Sequence, residues 1–90
     1  MLFAIIGRDG PEGQAKRKLC REEHLKRIEK LDAEKKLVLA GPFGDQSGSL
    51  IVFETDSLEA AAAFAAEDPY VKEGVFESYE VRPFKRVFPK

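Results

Sequence analysis

His24 is the only histidine in a chain of 90 residues, and it stands in the helical-looking stretch REEHLKRI, Arg21 to Ile28. Imidazole is the one side chain that ordinarily changes charge near neutral pH, so a single copy raises the question of proton transfer. A satisfied, partly buried packing histidine is the plain alternative. Asp68, in AEDPYVKEG, is the second residue of interest. The pair Glu67 and Asp68 falls at a predicted helix C-terminus, where the macrodipole disfavours a carboxylate by about 0.3 to 1 kcal/mol. Pro69 biases Asp68 away from helical geometry and aims its side chain off the axis. A simple Asp-Pro-Tyr turn would explain the same residues. Because local rules tend to be broken at sites, Asp68 is expected to face His24, orient its ring and stabilise the imidazolium.

Proton transfer by such a pair contributes about 10² to 10⁴ in rate, which suits lyase, isomerase or dehydrohalogenase chemistry at an activated proton. Difficult hydrolysis would need an oxyanion site or a metal as well. Around the pair, Arg21 could hold an anionic group with its planar fork of donors. Gly41-Pro42 could admit a ligand close to the backbone, and Tyr70 could cover a pocket with its ring or offer its hydroxyl. Each has an ordinary reading too: a surface charge, a turn, a core aromatic. Cys20 reads as a small core hydrophobe.

These residues need a frame to bring them together. LFAII opens the chain as a strand closed by Gly7, and RDGPEG is loop-like. From about Lys18 to Lys36 the pattern is helical, with Cys20, His24, Leu25, Ile28 and Leu31 on one stripe. LVLAGP reads as a second strand and LIVFE as a third, with FGDQSGS between them. LEAAAAFAA is a run of strong helix formers, entered through Asp56 as N-cap with Glu59 three residues on and ended at Pro69. VFESYEV is a fourth strand, with Phe76, Ser78 and Glu80 on one side and Glu77, Tyr79 and Val81 on the other.

The order βαββαβ predicts a single α+β domain over residues 1–90, the ferredoxin-like arrangement of a four-stranded antiparallel sheet with two helices on one face. Leu2, Ala4 and Ile6 alternate with Phe3 and Ile5, and Leu50 and Val52 with Ile51 and Phe53. Both faces are therefore apolar, and two helices cover only one. A homodimer packed sheet against sheet is the expected solution.

Composition narrows the function further. A formal net charge of -1 argues against a nucleic-acid module, and the basic end RPFKRVFPK is offset by acids elsewhere, fitting a solvated or dimer-tying tail. One cysteine allows no internal disulfide, and no zinc-type spacing of Cys and His occurs, so a cytoplasmic setting with no metal is expected. GRDGPEG lacks the Lys-Ser/Thr ending of a phosphate loop. The opening apolar run is too short for a signal segment, and no membrane association is expected.

MLFAIIGRD, REEHLKRI, AGP after the second strand, SLEAAAAFAAEDPYVKEGVF and VRPFKRVF, taken in order and spacing, resemble the YciI-like (YCII-related) family along nearly the whole chain. The resemblance implies a dimeric α+β barrel of two ferredoxin-like subunits, similar in fold to muconolactone isomerases and small cofactor-free monooxygenases. It implies a His-Asp site at His24 and Asp68, with Arg21, Gly41, Pro42 and Tyr70 matching the rest of the pattern. The loop FGDQSGS is shorter than in several relatives. The expected function is that of a small enzyme acting without cofactors on a small anionic or ring-derived molecule. The rival expectation is a ligand-binding or accessory dimer in which the pair is structural.

Overall fold

The computed structural model describes all 90 residues. Strand β1 (Leu2–Asp9) leads into helix α1 (Gly13–Ala33); strands β2 (Leu37–Pro42) and β3 (Gly48–Glu54) follow, then helix α2 (Leu58–Ala66), the single turn α3 (Pro69–Lys72) and strand β4 (Phe76–Phe84). All pairings are antiparallel, in the order β2-β3-β1-β4. This is the α+β arrangement the element order predicts, with the third helical turn added between α2 and β4.

Strand parity divides the residues between the faces. Phe3, Ile5, Ile51 and Phe53 pack with Ile28 and Leu31 of α1 and Ala61 and Ala65 of α2. Full burial of a side chain such as Phe3 or Phe53 contributes about 1.5 to 3 kcal/mol. A second cluster, Cys20, Tyr70, Val75 and Phe76, sits nearer the site. On the opposite face Ala4 and Val52 are buried while Leu39 and Phe84 stand nearly half exposed.

Several local expectations are corrected. Helix α1 begins at Gly13 rather than Lys18, since Glu12 provides no side-chain cap and leaves no sequence signal for the start. It ends before Lys35, whose φ of 60° breaks the helix. Leu25, placed on the inward stripe by winding, is 45% exposed; Arg17 takes a place on that stripe with Cys20, His24, Ile28 and Leu31. The cap of α2 is Ser57, not Asp56: its backbone is extended and its Oγ accepts the Ala60 N–H at 3.0 Å.

In β4, Arg8 pairs with Ser78 but Asp9 with Phe76, so a bulge intervenes. It reverses the alternation, and Phe76 therefore joins the helix side together with Val81, which packs on the main core. Pro83 is accommodated because β4 is an edge strand. Two glycines permit the close approach of strands here. A Cβ on Gly7 would strike the Phe76 ring, and one on Gly48 would overlap the Gly7 carbonyl.

Candidate active site

The polar residues gather at one end of the sheet, where β1 finishes, β3 starts and α1 passes overhead. The structure brings His24 and Asp68 together: Nδ1 lies 2.8 Å and 2.9 Å from the two carboxylate oxygens, and the side chains are only 8% and 5% exposed. A carboxylate can only accept, so Nδ1 carries a proton, and in the neutral ring the lone pair is on Nε2. Nε2 has no hydrogen-bond partner within the protein and is not sealed from solvent.

Asp68 does not end a helix as expected. Its ψ of 134° takes the chain out of α2, and it caps the next turn, with Oδ1 accepting the Tyr70 N–H at 2.8 Å. The unfavourable macrodipole position thus belongs to Glu67 alone, the C-cap of α2. Arg27 adds a counter-charge, its Nη1 3.2 Å from Asp68 Oδ2. That contact lacks hydrogen-bond alignment and leaves Nη1 unbonded, so it acts as charge alone. The other end of the guanidinium donates to the Phe64 carbonyl at 2.7 Å and covers the Phe64 ring. With these partners the carboxylate has little freedom to turn.

Tyr70 stacks flat on His24, with ring centroids 3.8 Å apart and planes 5° from parallel. Phe76 meets Tyr70 edge-on at 5.7 Å. On the same tyrosine ring lies Arg17, its Cζ 4.9 Å from the centroid. Arg17 precedes the helix start expected near Lys18, yet it lies on α1 and is buried. Its Nε and Nη2 donate to the two oxygens of Asp9 at 2.8 Å and 2.7 Å, and Nη2 also donates to Ser49 Oγ at 2.8 Å. The hydrogen bond to Asp9 raises the already high Arg17 pKa, so the cation persists at every accessible pH. The recoverable signal was spacing: Arg17 precedes His24 by two helical turns and occupies the same face.

A cleft of about 510 Å³ opens beside these groups. Its walls include His24, Arg17, Arg21, Tyr70, Gly41 and Pro42, and its rim carries Leu25 and the β2–β3 turn at Phe43, Gly44 and Gln46. All the expected ligand-facing residues therefore share one cavity, while Asp68 stands behind His24. Arg21 makes no ion pair, leaving it the uncompensated charge on that wall. Cys20 lies on the inner side of α1, its Sγ donating to the Lys16 carbonyl at 3.4 Å. Burial, then Glu73 and Asp68, push its thiol pKa up, which keeps it protonated near neutral pH.

The His24 geometry makes a direct spectroscopic prediction. Long-range proton–nitrogen spectra of the single imidazole, recorded where it is neutral, are expected to show the Nδ1–H form. A dominant Nε2–H form would contradict the arrangement.

Residues 1–85 match the family profile described as YCII-related domain. Protein YciI of Escherichia coli O6:H1 is 40% identical over 98 aligned residues, covering 98% of this chain and 100% of the relative. An uncharacterized protein of Haemophilus influenzae is 39% identical over the same coverage. Among solved structures, 5-chloro-2-hydroxyhydroquinone dehydrochlorinase (TftG) from Burkholderia phenoliruptrix, in complex with 2,5-dihydroxybenzoquinone, superposes with a TM-score of 0.81 at 30% identity, covering 96% of this chain and 95% of that one. A NIPSNAP family protein from Agrobacterium tumefaciens, 23% identical with a TM-score of 0.55 over 97% and 93% of the two chains, shares the fold.

Proposed function

The chain belongs to the YCII-related family, and from that premise we propose that it is a small cytoplasmic enzyme of lyase, isomerase or dehydrohalogenase type, using His24 and Asp68 for acid/base chemistry without a metal or organic cofactor. The observation that carries the proposal is His24 itself: Nδ1 is bonded to a buried carboxylate while Nε2 is left unbonded on the wall of a 510 Å³ cleft. In this reading Nε2 takes a proton from a hydroxyl or activated C–H of a small ring-derived molecule. Asp68 stabilises the imidazolium across the Nδ1–H, Tyr70 fixes the plane of the ring, and Arg21 attracts an anionic substrate. Where the substrate carries a halogen, the step runs from its keto tautomer, in which the halogen-bearing carbon holds a hydrogen. The pair freed by deprotonation moves through the ring to form the new C=C bond, halide leaves with the old C–halogen pair, and His24 afterwards returns the proton to water. The likeness to a dehydrochlorinase at 30% identity supports this choice of class.

The test is chloride release from 5-chloro-2-hydroxyhydroquinone. His24→Ala is expected to reduce turnover by about 10² to 10⁴, assayed below its lowered melting temperature because the change also leaves Asp68 without its partner. Equal turnover in that variant would refute the assignment. A second reading, in which the pair is structural, is favoured by the three elements that Asp68 ties together: α1 through His24 and Arg27, and the α2–α3 junction through the Tyr70 N–H. In that case wild-type protein binds such rings without releasing product.

The working unit in this proposal is a homodimer. The sheet face opposite the helices forms an apolar cavity of about 810 Å³ with Ala4, Leu39, Leu50, Val52, Phe84 and Phe88 in its walls. A second copy covering this face would bury surface that one chain leaves open. Sedimentation at micromolar concentration is expected to give twice the 10.1 kDa chain mass; a monomer there would overturn the proposal.

A further inference from the structure

Arg17 and Ser49 are both buried polar residues on the cleft wall, and neither is accounted for by the proton transfer assigned to His24. Asp9 grips Arg17 along its Nε–Nη2 edge, and Ser49 accepts from the same Nη2. Two donors are then left over. Arg17 Nη1 makes no short, aligned hydrogen bond and is not sealed from solvent, with the Tyr70 side chain as a further neighbour of the guanidinium, and the Ser49 hydroxyl, having accepted, still has its own proton to give. Gln14 donates to Asp9 at 3.0 Å, which helps hold the carboxylate in place. Arg17 Cζ and the His24 ring both lie against the Tyr70 ring, and Arg17, Ser49 and His24 line the same cleft.

We propose that Arg17 Nη1 and the Ser49 hydroxyl form an oxyanion subsite, and that the ligand is a flat, conjugated ring bearing at least two oxygen substituents, bound as a monoanion. This deepens the proposed function and rests on it for the role of His24. One ring hydroxyl gives its proton to His24 Nε2. The O–H bonding pair stays on that oxygen and spreads through the ring to a conjugated carbonyl or nitro oxygen, which Arg17 and Ser49 receive. Because Asp9 neutralises Arg17, the subsite is a set of directed donors with little net charge, and Arg21 supplies the charge that balances a single anion. Preorganised donors of this kind act where charge accumulates during the reaction.

The probe is 4-nitrocatechol, a stable coloured ring whose visible band reports its ionisation; its doubly methylated ether, which has no proton to lose, is the control. The wild-type protein is expected to bind nitrocatechol with a shift of the visible band toward the anion and to ignore the ether. Ser49→Ala is expected to weaken binding tenfold or more, and Arg17→Lys, which keeps a cation beside Asp9, to weaken it similarly, both with melting curves recorded alongside. Equal binding by wild type and folded Ser49→Ala, or no binding by wild type, would overturn the subsite. Binding that depends on Ser49 and Arg17 while chlorinated hydroxyhydroquinone releases no chloride supports the subsite and refutes only the proposed acid/base activity.

Discussion

Replacing Asp68 with Ala is expected to destabilise the fold by about 3 to 5 kcal/mol, the cost of leaving a buried partner uncompensated. The residue serves His24, Arg27 and the Tyr70 N–H at once. Alanine removes all three, stranding a charged Arg27 against Phe64. Domains carry about 0.05 to 0.15 kcal/mol of stability per residue, so in a chain of 90 residues this loss consumes much of the total. Asp68→Asn separates the two roles of the residue. The amide oxygen still caps the Tyr70 N–H and accepts from one nitrogen, so much of the stability remains. The charge that would steady an imidazolium is gone, and turnover should fall by about 10² or more. Urea unfolding of both variants, read beside chloride release, measures the two effects. An Asn variant as active as wild type would remove Asp68 from the chemistry, whereas an Ala variant as stable as wild type would remove it from the fold.

Arg17→Ala is expected to be comparably severe, again about 3 to 5 kcal/mol, because Asp9 and Arg17 are 5% and 6% exposed and form a two-point pair. Their burial makes a specific comparison possible. Buried pairs are often replaceable by apolar residues of similar size without loss, so the double change Asp9→Leu with Arg17→Met should recover most of the stability that Arg17→Ala loses. It should not recover ligand binding, since the Arg17 donor is gone. A double variant as unstable as the single would mean that the ion pair holds the fold by more than mutual neutralisation. Denaturant midpoints for the single and double changes decide between these outcomes.

Much of this architecture was legible in the residues. The alternation of Phe3 and Ile5 with Ala4 and Ile6 specifies a strand by period, and the alanine run after Ser57 a helix by propensity. The union of His24 with Asp68, forty-four positions apart, was inferred from the strain that a carboxylate before proline implies, although the strain was relieved differently, by α3. Other features had no local mark. The bulge that turns Phe76 inward depends on β1 as much as on β4. The unsignalled start of α1 depends on turns around Gly10 and Gly13. Arg17 escaped because the helix was expected to start only at Lys18, and its burial depends on Asp9 and Ser49, which the fold alone brings to it.

The β2–β3 turn borders the cleft through Phe43, Gly44 and Gln46, while the aliphatic and aromatic core lies further along the same strands. Recognition and folding are therefore spatially modular. Residues can be added to or removed from that hairpin at modest entropic cost, resizing the entrance while His24, Asp68 and their stacked tyrosine stay put. Grafting a longer hairpin would test whether the proposed proton-transfer pair can be re-addressed to bulkier rings without change to the scaffold.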